Sequence, residues 1–279
     1  MIKTLLFFSV VFIMFCSIQA QNIETEIIKE EGIIIQKTKY RPDGRVAERN
    51  VMISKDNWYE ELNTYEDTFL TASSHFLKGL KLVDYNYTYN DQNLLKKRVE
   101  LVNDSIGATT LFNYNASGQL ITEEIFSNDE LQLTITYEYD ESGKITARIE
   151  KLTDSEIAVY NNEYFEYNEK GLLVKRVQMS GVDTLVCHTY TYDDLNRCKE
   201  VIVQSGGVEI NRIEWTFVKN TNLIKKETHF SNGYIVRQER FKYNSKGLLK
   251  KNIVIDYRVF ENMPGQKKVI YLHNYTYYD

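Results

Sequence analysis

A repeat of about 25 residues runs through most of this chain, and it limits the fold more than any other feature of the sequence. Each copy has two aromatic positions separated by one residue, then a turn, then an apolar residue six positions after the second aromatic. The clearest copies are YTYNDQNLL, FNYNASGQL, YEYDESGKI, FEYNEKGLL, YTYDDLNRC and FKYNSKGLL. A seventh copy, WTFVKNTNL, keeps the spacing and loses the turn residues. The second aromatics lie 25–28 residues apart, at Tyr89, Tyr114, Tyr139, Tyr167, Tyr192, Phe217 and Tyr243.

The turn in each copy is typical of a β-hairpin. In YEYDESGKI, Asp140 begins a type I turn and Gly143 takes the left-handed conformation that closes a three-residue loop with a bulge. The glycines expected to close such turns are Gly44, Gly118, Gly143, Gly171 and Gly247. Asn93 and Asn196 replace the glycine in two copies, and asparagine tolerates a positive φ better than most residues. Thr221 fits this position poorly, so the turn of the seventh copy is expected to differ.

Counting outward from this turn predicts which residues share a face of the hairpin. The predicted cross-strand pairs on one face are Tyr139 with Ile145, Tyr137 with Ala147 and Ile135 with Ile149. The other face would carry the polar set Thr134, Thr136, Glu138, Thr146, Arg148 and Glu150. Each hairpin is therefore expected to have one aromatic and aliphatic side and one solvated side.

The same counting places a lysine opposite the first aromatic of several copies. The predicted pairs are Tyr87 with Lys97, Phe165 with Lys175, Trp215 with Lys225 and Phe241 with Lys251. One interpretation is that the lysine stems cover the rim of an apolar ladder. The other is that parts of the aromatic ladder are open to a ligand, which makes Tyr87, Phe165, Trp215 and Phe241 the candidate ligand-stacking residues.

These features predict an all-β fold. The chain has 21 tyrosines and only two prolines, a composition that favours strands. The hairpins are expected to form an antiparallel meander in one domain, residues 21–279, as a long twisted, curled or spiralling sheet, because a flat sheet would leave its apolar face in water. Residues 40–46 resemble an early copy, and Tyr275 to Tyr277 resemble the first half of a last copy. The repeat alone does not decide whether the two ends of the sheet meet.

Residues from about 55 to 80 interrupt the repeat. Tyr65 has the expected spacing, but no turn residues surround it. Trp58, Leu62, Tyr65 and Phe69 are instead spaced as on one side of a helix. This irregular segment is therefore either a short helix or a degenerate copy of the repeat.

The N-terminus has the pattern of a cleaved signal peptide at residues 1–20. Lys3 precedes an apolar run that ends in a small residue, and cleavage is expected between Ala20 and Gln21. The alternative is an uncleaved signal anchor. No later stretch is long and apolar enough for a transmembrane helix, so the protein is expected to be exported to the periplasm, the cell surface or the medium.

The sequence contains no recognisable catalytic or metal-binding motif. The four histidines lack ligand spacing, and no nucleophile elbow, phosphate loop or HExxH motif is present, so we expect no enzyme, metal or cofactor. A net charge of −5 argues against a nucleic-acid partner. Cys187 and Cys198 are expected to lie on opposite faces of one hairpin, too far apart for a disulfide.

The repeated unit, aromatic-x-Tyr-[Asp/Asn]-x-x-Gly-x-[Leu/Ile], resembles the tyrosine-aspartate (YD) repeat of the RHS family from Tyr85 to Leu249. The resemblance implies a long hairpin meander of the kind used at bacterial surfaces and in toxin delivery. The favoured function is an exported structural or interaction scaffold that binds a glycan or a partner protein. The alternatives are a polysaccharide hydrolase and an accessory or protective partner of a secreted toxin.

Overall fold

The computed structural model describes residues 23–55, 57–153, 161–257 and 267–277, which form one antiparallel sheet of twenty strands. The predicted signal peptide and its cleavage position at Ala20 and Gln21 lie outside the described residues. The first ten strands are β1 (Ile23–Glu30), β2 (Ile33–Tyr40), β3 (Val46–Ser54), β4 (Asn57–Glu66), β5 (Phe69–Leu77), β6 (Leu80–Tyr89), β7 (Leu95–Val102), β8 (Ser105–Tyr114), β9 (Leu120–Ser127) and β10 (Glu130–Tyr139). The others are β11 (Ile145–Leu152), β12 (Asn161–Tyr167), β13 (Leu173–Ser180), β14 (Asp183–Tyr192), β15 (Cys198–Ser205), β16 (Val208–Phe217), β17 (Ile224–Ser231), β18 (Tyr234–Tyr243), β19 (Leu249–Asp256) and β20 (Lys267–Tyr277).

The sheet is closed. Each strand pairs with its neighbours in sequence, and β1 also pairs antiparallel with β20. The antiparallel meander is therefore as predicted, whereas the prediction of a long twisted, curled or spiralling sheet is wrong, because the molecule is a 20-stranded barrel. Closure gives both end strands a full set of main-chain partners, which removes the exposed edges that an open sheet would have.

A split hairpin closes the barrel. In an ordinary copy, Tyr139 lies opposite Ile145 and Tyr137 lies opposite Arg148. At the seam, Tyr277 lies opposite Ile23 and Tyr275 lies opposite Glu26, with the same one-residue shift between the two pairs. The end of the chain thus supplies the first half of a repeat, as predicted, and β1 supplies the second half.

The two ends of the barrel have different turns. At one end, the side chain at the first turn position accepts hydrogen bonds from main-chain N–H groups two and four residues later, as Asp140 does from Ser142 and Lys144 at 2.9 Å. The five glycines predicted to close these turns have φ values of 75–83°, and Asn93 and Asn196 have 62° and 58°. In the seventh copy Asn220 has the positive φ, and the loop is one residue longer. At the other end, two-residue turns such as Lys78-Gly79 have two positive φ angles, which suits a tight hairpin.

A bulge beside each three-residue loop changes the register that the sequence predicted. Tyr139 lies opposite Ile145, but Glu138 lies opposite Ala147, so Thr146 is an extra residue. The predicted pairs of Tyr137 with Ala147 and Ile135 with Ile149 are therefore wrong. Tyr137 faces Arg148 and Ile135 faces Glu150, which places charged side chains on the same face as the tyrosines.

The irregular segment from 55 to 80 is a degenerate copy of the repeat. It forms β4 and β5, which are joined by a two-residue turn, so the helical alternative is wrong. Tyr65 also donates its hydroxyl hydrogen to the Val46 carbonyl at 2.9 Å. Without the usual loop residues, the sequence did not display this hairpin.

The repeated tyrosine joins each hairpin to the preceding one. In each hairpin we call the strand that ends in the repeated tyrosine the ascending strand and the strand after the three-residue loop the descending strand. The tyrosine hydroxyl donates a hydrogen bond to a carbonyl at the start of the descending strand of the previous copy, as Tyr139 does to Leu120 at 2.7 Å. The other copies with this bond are Tyr89, Tyr114, Tyr167, Tyr192 and Tyr243, at 2.6–2.9 Å. Phe217 has no hydroxyl, and the Arg197 guanidinium lies 4.3 Å from the centre of its ring instead. These bonds hold together a sheet in which few described side chains are fully buried.

Candidate ligand-binding site

The face of the sheet that carries the repeated tyrosines is lined by aromatic and charged side chains, and we call it the tyrosine face. The residue two positions before each tyrosine points to this face, and the bulge brings the residue nine positions after the tyrosine opposite to it. Aromatic and charged groups therefore alternate from strand to strand. Tyr137, for example, donates its hydroxyl hydrogen to Glu123 at 2.6 Å, and burial together with this carboxylate raises the pKa of Tyr137 to about 12.

The four predicted ligand-stacking residues all lie on the tyrosine face at one level, but their predicted lysine partners do not. Tyr87 faces Arg98, Phe165 faces Arg176, Trp215 faces Glu227 and Phe241 faces Asn252. The lysine pairing is wrong because the bulge shifts the descending strand by one residue, so that Lys97, for instance, lies opposite Thr88 on the other face. In the seventh copy the longer loop adds a second residue to this shift. Trp215 and Phe241 lie two strands apart, in β16 and β18, whereas Tyr87 and Phe165 lie elsewhere around the barrel.

Trp215 is held by a carboxylate and a histidine. The Trp215 indole N–H donates to Glu227 Oε2 at 2.7 Å, and His229 contacts the other oxygen of the same carboxylate. Burial by itself raises the pKa of Glu227, but the hydrogen bond and charge of His229 and the bond from Trp215 outweigh it, so the pKa lies below its ordinary value. The Glu227 carboxylate is thus ionised and fixed beside the indole ring.

A second polar network crosses the seam of the barrel. Glu26 of β1 accepts a hydrogen bond from Tyr40 at 3.1 Å and contacts His273 Nδ1 of β20 at 3.0 Å. The other nitrogen of His273 contacts Asn252 at 3.2 Å, and Asn252 donates to Glu239 at 3.4 Å. Burial raises the pKa of Glu26, but His273, Tyr40 and Tyr275 lower it by more, so the net shift is downward.

The two networks are continuous. Glu239 lies directly opposite Glu227 in the β17–β18 pair, and Arg237 lies opposite His229. Arg237 also forms an ion pair with Glu239. We call the combined set the seam cluster; its members are Glu26, Tyr40, Trp215, Glu227, His229, Arg237, Glu239, Asn252 and His273. It offers carboxylate, amide, imidazole and guanidinium groups next to one indole ring.

A serine–histidine pair on the same face does not form an accessible catalytic site. Ser73 Oγ lies 2.9 Å from His75 Nε2, and Tyr59 contacts the other ring nitrogen, an order that resembles a nucleophile, a base and an orienting group. However, only 4 % of Ser73 is exposed. A substrate therefore cannot reach its hydroxyl in this conformation.

The described residues contain no group of three or more histidine, cysteine, aspartate or glutamate side chains placed to hold a metal ion. Cys187 lies opposite Gln204, and Cys198 lies opposite Tyr192, as the sequence predicted for Cys198. Both thiols are free. Across the described ranges, no helix meets the length and hydropathy needed to span a bilayer.

The seam cluster was missed at the sequence level for two reasons. The histidines were judged by their distance along the chain, although the barrel brings His273 within hydrogen-bond distance of Glu26, 247 residues away. The predicted register also gave Trp215 the wrong partner, Lys225. A bulge alone would have placed Lys226 opposite Trp215, and the extra loop residue of the seventh copy brings Glu227 there instead.

Comparisons with known proteins give distant likenesses. A family model described only as an uncharacterised protein matches residues 79–166. No curated protein matches the chain. A porin-like protein from Bacteroides uniformis has a similar structure, with 10 % identity and a TM-score of 0.43 over 91 % of this chain and 98 % of that one.

Two structures of toxin components are also similar. The Tc holotoxin pore of Photorhabdus luminescens is 12 % identical, with a TM-score of 0.41 over 85 % of this chain and 16 % of that one. The TcdB2-TccC3 structure is 13 % identical, with a TM-score of 0.29 over 86 % of this chain and 18 % of that one. The chain therefore spans less than a fifth of the length of these toxin chains.

Proposed function

We propose that this chain is an exported β-scaffold that binds a glycan on its tyrosine face, at the seam cluster. The observation that carries the proposal is the setting of Trp215, whose indole N–H is hydrogen-bonded to Glu227 at 2.7 Å. This bond holds the ring in one orientation and keeps a carboxylate at its edge. Binding sites for small molecules commonly combine such a rigid apolar surface with a few fixed polar groups.

The chemistry of the seam cluster suits a sugar. An aromatic ring packs against the C–H face of a pyranose, while its hydroxyl groups need both donors and acceptors. Arg237 supplies donors, Glu227 supplies acceptors, and Asn252 supplies both. Because the groups are distributed over β17, β18 and β19, an oligosaccharide suits them better than a single sugar.

The proposal is of a binding protein rather than an enzyme. Support comes from the buried hydroxyl of Ser73 and from the carboxylates of Glu26 and Glu227, whose pKa values lie below the ordinary range. A general acid for glycoside hydrolysis needs the opposite shift. Export is proposed from the signal-like N-terminus.

The test is a glycan array probed with the mature chain, followed by titration of the retained oligosaccharide. The variant Trp215→Ala is expected to raise Kd by about tenfold, as expected for the loss of one stacking contact. The matched control is Trp58→Ala, since Trp58 lies opposite Met52 on the other face of the sheet. Circular dichroism checks that both variants fold. Retention of no glycan, or equal losses in the two variants, would contradict the proposal.

A further inference from the structure

The first aromatic residue of each copy belongs to a series that extends well beyond the seam cluster. In the six ascending strands from β6 to β16, this residue lies on the tyrosine face, two positions before the repeated aromatic residue. We call the series the aromatic belt; its members are Tyr87, Phe112, Tyr137, Phe165, Tyr190 and Trp215. All six residues are half-buried, so each keeps some surface in contact with solvent.

The fold does not require an aromatic ring at the belt position. In β2 and β4 the same position holds Thr38 and Asn63, and these strands form hairpins of the same barrel. The position two residues earlier on the same face also varies, with Thr110, Ile135 and Glu163 among its occupants. The belt residues share no structural hydrogen bond of the kind that the repeated tyrosines make, since two of them are phenylalanines. The run of six rings therefore points to a role in binding.

Polar groups separate the rings of the belt. The residues opposite the first four belt residues, on the tyrosine face, are Arg98, Glu123, Arg148 and Arg176. Val201 lies opposite Tyr190, and Glu227 lies opposite Trp215. Flat apolar surfaces thus alternate with hydrogen-bonding groups across most of the belt. This is the combination that surrounds Trp215 in the seam cluster, repeated from hairpin to hairpin.

We propose that the aromatic belt binds a linear polysaccharide that crosses several strands, with the seam cluster at the end of its path. This inference rests on the proposed function, because it extends the glycan site at Trp215 to the other belt residues. Arg148 lies opposite both Tyr137 and Glu163, so Phe165 is two strands and two residues away from Tyr137. That offset corresponds to a separation of about 12 Å between their α-carbons. One sugar is too short to span it, whereas a chain of linked sugars contacts one ring after another.

The dependence of affinity on chain length tests the proposal in the wild-type protein. The mature chain is run in native gels that contain mixed-linkage β-glucan, xylan, glucomannan or polygalacturonate. A trisaccharide and a dodecasaccharide of the polymer that retards the protein are then compared by calorimetric titration. The dodecasaccharide is expected to bind at least about 100-fold more tightly, because its successive contacts act at a high effective concentration.

The double variant Phe112→Leu, Phe165→Leu tests the belt itself. Both residues lie outside the seam cluster, and leucine keeps an apolar side chain while removing the flat ring. The Kd of the dodecasaccharide is expected to rise about tenfold, and that of the trisaccharide to stay unchanged. The matched control is Tyr164→Leu, because Tyr164 is 38 % exposed and lies on the other face, opposite Val177. Circular dichroism checks that both variants fold.

Equal affinity for the two oligosaccharides would overturn the proposal. An unchanged Kd of the dodecasaccharide in the double variant, or an equal rise in Tyr164→Leu, would also overturn it. If none of the four polymers retards the protein while a glycan array still retains a short glycan, binding is confined to the seam cluster. In all these cases a loss of glycan binding in Trp215→Ala still supports the proposed function. An array that retains no glycan removes the proposed function, and the belt proposal with it.

Discussion

At the scale of single residues, the repeated tyrosine has a role that its hydrophobicity does not explain. Phenylalanine would fill the same space, yet in the described copies the hydroxyl bonds a main-chain carbonyl of the preceding hairpin, as Tyr139 bonds Leu120. Such a bond satisfies a carbonyl where the bulge has locally disrupted the ladder. The tyrosine thus contributes both packing and a polar link between neighbours.

The variant Tyr139→Phe is expected to lower the free energy of unfolding by about 1–2 kcal/mol, because it removes this bond and leaves the Leu120 carbonyl without its partner. The matched control is Tyr164→Phe. The hydroxyl of Tyr164 makes no hydrogen bond within the described part of the chain, and its side chain is exposed. Urea denaturation of the two variants measures the difference. Equal stabilities would show that the hydroxyl contributes nothing.

The buried carboxylates make the stability depend on pH. The pKa of Glu227 is lower in the folded chain than its ordinary value of about 4.5, so its contribution to stability is present above that value and is lost as the pH falls through the folded pKa. Glu227→Gln is expected to destabilise the protein by about 1–3 kcal/mol at pH 7. The difference from the wild type should shrink below pH 4. Thermal melts from pH 3 to pH 7 measure this, and a difference independent of pH would contradict it.

At the scale of the structural elements, the bulge determines which side chains of each hairpin share the tyrosine face. One extra residue moves the charged side chains of the descending strand onto the tyrosine face. In the register without a bulge, Arg148 and Glu150 would point away from Tyr137. The aromatic and charged surface of this hairpin therefore depends on Thr146, the bulge residue, although Thr146 is not a member of the seam cluster.

Deletion of Thr146 tests this role. It removes the extra residue, so that either the pairing of β10 with β11 or the faces of β11 must change. The expected loss is at least about 3 kcal/mol, because Arg148 and Glu150 would lose their partially buried setting. Insertion of one glycine into the Asn128-Asp129 turn is the control, since that turn lies at the end of the barrel. Urea denaturation compares them, and equal losses would contradict the assigned role.

The turns and the alternation of the ascending strands could be predicted from the sequence because both depend on local chemistry. Asp140 and Gly143 specify their loop without reference to distant residues. The register of β11 could not be predicted from the sequence. A single bulge residue changes every later cross-strand pair, and nothing in the side chain of Thr146 marks it as the bulge residue. The candidate site was reached in part, through Trp215, while Glu227 was not recognised as the partner of Trp215 and His273 was set aside.

At the scale of the whole molecule, closure joins the two ends of the chain. The split hairpin was not predicted because its halves lie at opposite ends of the sequence, and β1 has no tyrosine or turn residues of its own. The seam is the place where the barrel is held by main-chain pairing and by the bond between Glu26 and His273, without a connecting loop.

A disulfide across the seam is expected to stabilise the barrel. Ile27→Cys and Asn274→Cys place thiols at directly opposed positions of β1 and β20, with Cys187 and Cys198 replaced by serine. The bond would close a loop of about 250 residues and stabilise the fold by about 4–5 kcal/mol, which corresponds to a rise in Tm of roughly 10 °C. Melting with and without reductant measures the effect, and the single variant Ile27→Cys is the control. An unchanged Tm on oxidation would indicate that the strands are not neighbours in solution.

The split hairpin also has an evolutionary consequence. Since most of the described hairpins meet the preceding one through the same tyrosine bond, duplication or loss of one 25-residue unit between such junctions would leave the contacts on both sides chemically equivalent. Such a change would alter the circumference by two strand spacings, about 9.5 Å, without requiring a new way to close. The diameter of barrels built in this way can therefore grow or shrink in discrete steps by recombination within a single gene.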